Sequence, residues 1–526
     1  MLFVSFRVKR HNGSAAPSIG SLPHLFSLCV FLYTTSAEKV YNLPTENGCM
    51  IKVLVVGFDG ATWDIINPLI SQGALPTFEA LMNRSSWGVM ESTMPPMTIP
   101  AWISMFSGLT PEQLCLFDFN KVTVGEETVE CRLVNSGDCR GKFLWDLLSQ
   151  REMKSLVLNV PGVYPPYPIE GHLIGLDLTP LEECTYPPEL EEVLTEKHNL
   201  IHIREGQNQL FRGEKAALGL IEEEEEMVLE VALSFCRAHA YDVAFVRFGI
   251  PDHVSHHSLD DNRMRECHLL MDNLLQQIQE IPCEYLVLVS DHGIRKEEKV
   301  FNINRYLEDM GIFRIGVKDR LGEMVNRGLA TVRKRFVGEI RRLGTQKHHF
   351  TSVETIYRKK SAAFAYSALF NRFCPLYVTD DSKKDKIIKS LNKCKYVKKV
   401  HEVKCQGGPA ALVESHYQIG TKPGRPLIEL QTRWYHDMKG IFLIQGKDVK
   451  EGHRVDCSIY DIAPTLLHMV GVPIPDVLTG NVLTEMFEEG SEFRERTPQY
   501  GNPFSGEDEK EKVKDSIRAL ARLGKL

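Results

Sequence analysis

Residues 51–60 read Ile-Lys-Val-Leu-Val-Val-Gly-Phe-Asp-Gly, IKVLVVGFDG. From Ile51 to Phe58 the run is apolar and rich in β-branched side chains, broken only by Lys52 and Gly57. A strand with one wet face alternates apolar and polar residues. A continuous apolar run of this length instead fits a strand covered on both faces, as in a parallel sheet flanked by helices. Asp59-Gly60 ends the run and leaves a carboxylate at the carboxyl edge, where open α/β sheets place their ligands.

The pattern recurs downstream. KSLVLN at Lys154–Asn159, DVAFVRF at Asp242–Phe248, YLVLVS at Tyr285–Ser290 and KGIFLIQ at Lys439–Gln445 read as further strands. Helical apolar spacing marks Trp63–Leu69, Pro76–Met82, Phe143–Leu148, Glu222–His239, Arg263–Ile278 and Asp461–Val470. Strand and helix in alternation, with polar residues just past the strands, predict a doubly wound α/β fold. The glutamates Glu222–Glu226 fit a solvated first turn, because negative charge suits a helix N-terminus. Pro161–Pro168 is too rich in proline for a helix interior or central strand.

Residues 312–430 break the alternation and read as an inserted smaller cap region. It would hold strand-like pieces at Phe364–Ser367 and Leu376–Thr379, a Lys-rich helix at Lys383–Asn392, and a basic helical run at Val317–Leu343. The expected division is therefore an N-terminal extension over 1–49, an α/β domain over 50–311, the cap over 312–430, the α/β domain again over 431–495, and a tail over 496–526. Val513, Ile517 and Leu520 give the tail a short amphipathic helix.

A chain of 526 residues with 43% hydrophobic content can bury a large core. Its net charge of -7 argues against nucleic acid as a partner of the whole surface. The 13 cysteines are scattered and form no CxxC pair, so free thiols in a reduced, cytoplasmic setting are expected rather than a disulfide scaffold. The apolar stretch Leu22–Tyr33 is too short to span a bilayer, and no transmembrane segment is expected. A basic end ahead of that stretch leaves export open.

The chemistry lies in short motifs far apart in the chain: GFDG at Gly57–Gly60, PPMTIPAW at Pro95–Trp102, PDHVSHH at Pro251–His257 and SDHG at Ser290–Gly293. Asp252 and His256 stand four apart, so on a helix they share one face, as two ligands of one ion must. Asp291 and His292 follow a strand directly, and Gly293 permits the sharp turn that lets neighbours share a metal. Each residue also has a plainer reading as a cap, turn or core edge. Oxygen and nitrogen donors together suit zinc or manganese and not copper–thiolate or iron–sulfur chemistry. Thr98 precedes Pro100, which fits an early helical position and sets the hydroxyl at a helix N-terminus, where N–H groups favour phosphate. A threonine hydroxyl becomes a competent nucleophile only when a metal or base lowers its pKa.

These motifs resemble the alkaline phosphatase superfamily, and within it the type I phosphodiesterase/nucleotide pyrophosphatase branch. The resemblance covers residues 50–300 and 430–490, including DIAPTLLHMVGVPIPD at Asp461–Asp476. It implies an alkaline-phosphatase-like, mostly parallel sheet flanked by helices. It implies two divalent metal ions, zinc foremost and manganese as the second choice. One would be held by Asp59, Thr98, Asp291 and His292, the other by Asp252, His256 and the late His436. It further implies a phosphothreonine intermediate on Thr98.

The chain departs from the family pattern in three places. Ala101 and Trp102 stand where the family usually has Asn-His, Thr110–Cys115 follows Gly108 where the family often continues to a His-Gly pair, and Trp434-Tyr435 precedes His436 where a G-x-H context is common, with His453 as a weaker rival for that role. The expected substrate is a small phosphate diester or pyrophosphate. A monoester phosphatase or a phosphotransferase on the same scaffold are alternatives, and a non-catalytic metal-stabilised binding protein is another.

Overall fold

The computed structural model describes residues 50–125, 129–176, 183–198, 214–314, 361–369, 371–422 and 424–501. The extension 1–49, the basic run 317–343 and the tail helix 507–523 expected from sequence lie outside these residues.

Ile51–Phe58 is a strand near the middle of a nine-stranded sheet. Its neighbours are Val243–Phe248 and Cys283–Val289, both parallel to it, with Val53 opposite Val243 on one side and Tyr285 on the other. Side chains alternate across a strand, and here both faces are dry. Val53 and Val55 join a cluster with Trp102, Phe106, Trp145 and Phe245, while Leu54, Val56 and Phe58 join one with Phe78, Leu274 and Leu288. That double burial is the physical reason for the unbroken apolar run.

In order across the sheet, the strands are Cys457–Ser458, Ser86–Glu91, Lys439–Gly446, Cys283–Val289, Ile51–Phe58, Val243–Phe248, Ser155–Leu158, Gly171–Ile174 and Thr185–Tyr186. Pairing is parallel from Cys283–Val289 through Gly171–Ile174. Lys439–Gly446 is antiparallel to both of its neighbours, so the fold is mixed α/β with a mostly parallel sheet. Helices Leu144–Ser149, Asp261–Ile278 and Ile462–Val470 form close to where helical spacing predicts them. No helix among the described residues is long and apolar enough to cross a membrane.

A second, six-stranded sheet runs Ala363–Ala365, Asn371–Val378, Ala411–Gly420, Gly293–Asn302, Ile428–Asp437, with Val397–Glu402 paired to Ala411–Gly420. Its strands therefore begin before residue 312 and continue past residue 430. Gly293–Asn302 leaves directly from Asp291-His292, and Ile428–Asp437 lies antiparallel beside it with His436 opposite Ile294. Both strands escaped the sequence reading. GIRKEEKVFN and IELQTRWYHD carry charge on a partly wet face, so their apolar signal is weak.

Two expectations are corrected. The helix with the glutamate run spans Glu214–Ala238, so Glu222–Glu226 lies inside it and not in its first turn; Glu224 and Glu225 are 2% and 1% exposed. Their spacing puts two of the five carboxyls on the helix face that packs against the sheet. Free thiols were expected throughout, yet Cys115 and Cys405 form a disulfide across 290 residues of sequence. Others, including Cys139, Cys267 and Cys374, are buried free thiols.

Gly57 shows how tightly the first strand meets the helix Thr98–Ser107. A Cβ there would stand 2.3 Å from Trp102 Cη2. Gly57→Ala is expected to cost about 1–3 kcal/mol through overpacking, read as a lower urea midpoint. Adding Trp102→Phe, which removes the clashing ring, should recover part of the loss; strictly additive effects would show that the contact is not the cause.

Candidate active site

The motif residues converge at one edge of the large sheet from several different elements. Asp59 follows the strand Ile51–Phe58, and Asp291-His292 follows Cys283–Val289. Asp252 and His256 lie one turn apart on the short helix Asp252–His257. Thr98 is the first residue of the helix Thr98–Ser107, whose N-cap is Met97. His436 is the next-to-last residue of the second-sheet strand Ile428–Asp437. Among the described residues, two clusters offer mutually close ligand atoms: Asp59, Asp291 and His292, and Asp252, His292 and His436.

The distances show how the clusters join. His292 Nε2 lies 3.2 Å from Asp291 Oδ2, 3.5 Å from Asp59 Oδ1 and 3.3 Å from Thr98 Oγ1. Asp252 reaches His256 Nε2 through Oδ2 at 3.1 Å and His436 Nε2 through Oδ1 at 3.3 Å. His256 and His436 face each other, Nε2 to Nε2, at 3.3 Å. The His292 and His436 rings stack at 3.7 Å between centroids. His453 is elsewhere: its carbonyl accepts the Trp87 N–H beside the edge strand Ser86–Glu91.

The donor set fits cations. His292 Nδ1 is 3.0 Å from the Gly293 carbonyl, and His436 Nδ1 is 2.9 Å from the Pro96 carbonyl. A carbonyl only accepts, so each Nδ1 carries the proton, and a ring in its neutral form turns the Nε2 lone pair inward. Those lone pairs meet carboxylate oxygens. Asp59 Oδ1, Asp252 Oδ1 and Asp291 Oδ2 are buried and have no hydrogen-bond partner. Lone pairs facing carboxylates in a dry site repel unless positive charge stands between them.

Electrostatics treat the two carboxyls and the two rings differently. Burial, then the charges of Asp59 and Asp252, pushes the Asp291 carboxyl well above its ordinary range. Burial also acts to raise Asp252, but His256 and His436 outweigh it and hold that carboxyl well below the usual range. Burial, helped by His436, brings His292 down to about 4. For His436 burial is overcome by Asp252, and its pKa rises.

Two buried groups in this neighbourhood were not singled out from sequence. Arg247 sits in the strand Val243–Phe248, 1% exposed, and both its Nε and a terminal nitrogen reach Asp59 Oδ2. Its signal was legible: a cation in the apolar run DVAFVRF needs a buried partner. Glu225 accepts the Gly249 N–H at 2.8 Å, just ahead of the helix bearing Asp252 and His256. Burial, then Glu224, pushes Glu225 up to about 8.

The family model described as type I phosphodiesterase / nucleotide pyrophosphatase matches residues 53–400. No curated protein matches the chain. Solved structures do. Murine ectonucleotide pyrophosphatase / phosphodiesterase 5, as an inactive form in complex with AMP, is 12% identical with a TM-score of 0.52, covering 83% of this chain and 98% of that one. Another structure of the murine protein is 13% identical with a TM-score of 0.52, over 83% of this chain and 100% of that one. The human protein is 12% identical with a TM-score of 0.51, over 83% and 98%. Likeness at this level of identity establishes a shared, alkaline-phosphatase-like fold.

Glu225 yields a test of the buried carboxyl. Its folded pKa is raised, so the stability its proton confers is complete below the unfolded value near 4.5 and is lost as pH climbs through about 8. Wild type should lose urea resistance over that window relative to Glu225→Gln, which keeps an oxygen for Gly249 but cannot ionise. Parallel pH profiles for the two proteins would show that Glu225 does not hold a proton.

Proposed function

The chain belongs to the type I phosphodiesterase/nucleotide pyrophosphatase family, and from that membership we propose that it cleaves small phosphate diesters or pyrophosphates with Thr98 as nucleophile. Hydrolysis of phosphoric esters, with metal dependence, is the activity of that family. What supports Thr98 is one position: its hydroxyl lies 3.3 Å from Nε2 of His292, the residue common to both ligand clusters.

Asp59, Asp291, His292 and Thr98 would hold one cation, and Asp252, His256 and His436 the other. Zinc suits this oxygen and nitrogen set best, with manganese second. Bound there, two divalent cations would supply the positive charge that lowers the threonine pKa and offsets charge developing on the phosphoryl oxygens.

The protein's own residues set the geometry of attack. Thr98 opens a ten-residue helix, and the N–H groups of a first helical turn, which lack partners within the helix, favour the transferred phosphoryl group. Thr98 Oγ1 bonds to phosphorus as its proton departs, and the bond to the leaving oxygen breaks in line with the attack. The leaving oxygen takes up a proton. Water then attacks the phosphothreonine from the opposite side, releasing the phosphate product and restoring the hydroxyl. His292 and His436, each held by a backbone carbonyl at Nδ1, keep the opposite nitrogens directed at the reacting region.

A diester or pyrophosphate is favoured over a monoester by where positive charge goes. A monoester carries an extra negative charge on the transferred group and needs cationic donors besides the metals. Arg247 is turned to Asp59, and no arginine stands near Thr98 in the chain. AMP occupies the murine relative, so nucleotide diesters and pyrophosphates head the substrate panel.

Thr98→Ala should retain the fold and both cations by elemental analysis, while hydrolysis of bis(p-nitrophenyl) phosphate falls by ~10³-fold or more, as for loss of a nucleophile. Undiminished turnover would remove Thr98 from that role. Asp252→Ala or His256→Ala should instead lower cation content, and full occupancy in both would refute the ligand set.

A further inference from the structure

Asp59 has two unlike oxygens. Oδ2 receives the Trp102 indole N–H at 3.0 Å, the Arg247 Nε–H at 3.2 Å and an Arg247 terminal N–H at 2.5 Å. Oδ1 has no hydrogen-bond partner and lies toward His292 Nε2 at 3.5 Å. All three side chains are buried: Asp59 and Trp102 are 0% exposed and Arg247 is 1% exposed.

We propose that Trp102 and Arg247 are positioning residues that occupy Asp59 Oδ2 and restrict this carboxylate to a single ligating oxygen, thereby favouring small cations over calcium. The inference rests on the two-cation reading of the site. Three donors saturate the lone pairs of one carboxylate oxygen, so a cation would meet only Oδ1. Calcium is larger, takes six to eight oxygens and often accepts both oxygens of one carboxylate, whereas zinc is satisfied by four donors. A carboxylate held to one oxygen therefore suits zinc and withholds the two-oxygen bite that calcium uses.

The clamp also ties the ligand to the nucleophile. Trp102 lies four residues after Thr98 on the same helix, one turn further on. Its indole bonds directly to Asp59, while Arg247 fastens the same oxygen from the neighbouring strand Val243–Phe248. Helix, first strand and neighbouring strand thus meet at one atom. Trp102, which stands where the resemblance led to an expectation of histidine, acquires a role as the donor that joins Asp59 to the Thr98 helix.

Equilibrium dialysis of full-length wild type, Trp102→Phe and Arg247→Lys against zinc and against calcium tests this directly. Trp102→Phe keeps an aromatic ring but loses the N–H contact together with the second ring that packs toward Gly57; Arg247→Lys keeps the charge and loses the fork. Each variant should lose affinity for one of two zinc ions by about 10–100-fold, the scale seen when a ligand's supporting partner is removed, and bind calcium more tightly relative to zinc. With zinc saturating, kcat for bis(p-nitrophenyl) phosphate should fall while KM stays within about twofold, as expected when transition-state geometry alone is disturbed.

Wild-type zinc and calcium affinities in Trp102→Phe, even with a lower Tm, would overturn the proposal and leave the contact as packing. Asp59→Asn separates the two possible failures. If it binds both zinc ions like wild type, the two-cation reading itself fails. If it loses one ion while Trp102→Phe and Arg247→Lys lose none, only the clamp is refuted.

Discussion

Three carboxylates, Asp59, Asp252 and Asp291, are gathered where they are nearly withdrawn from solvent, each 4% exposed or less. Burying like charges together is costly unless positive charge is interleaved, and the surrounding architecture answers that constraint. Arg247 crosses from the adjacent strand to Asp59, His256 and His436 flank Asp252, and His292 stands between the two clusters. The carboxylate oxygens still lacking partners face the inward nitrogens, an arrangement that suits a cation.

The second sheet completes that centre. Gly293–Asn302 starts at the residue after His292, and antiparallel pairing with Ile428–Asp437 returns His436 to the starting point of the excursion. The Pro96 carbonyl, two residues before Thr98, accepts from Asn371 Nδ2 at 3.4 Å and lies 2.9 Å from His436 Nδ1. Both partners belong to the second sheet. The approach to Thr98 is thus held by the same sheet that carries His436, so the smaller sheet contributes to the geometry of Thr98 as well as to the boundary of the site.

Much of the larger sheet was legible because double-sided burial leaves a strong mark. IKVLVVGF and DVAFVRF have few polar positions to confuse with loops, and both are strands at sites close to their sequence bounds. The motif residues Asp59, Asp252, His256, Asp291 and His292 were legible for a related reason: they directly follow apolar strands or sit at helical spacing. Glu225 was read wrongly because a glutamate run looks solvated whichever of its members faces inward. Its burial is decided by the phase of a helix that begins at Glu214. The strands carrying the route from His292 to His436 were missed because charged, half-wet strands resemble loops.

Composition and pattern by themselves determined a mostly parallel α/β sheet, carboxylates and imidazoles placed at strand ends, and a hydroxyl at a helix start. Those features follow from local rules of burial and helix spacing. Only the tertiary structure decided that His436 stacks on His292, that Arg247 and Trp102 share one oxygen of Asp59, and that Cys115 meets Cys405. Each joins residues distant in the chain through strand register or helix packing. Their energies depend on distances of a few ångströms across the fold, which neighbouring residues in sequence do not encode.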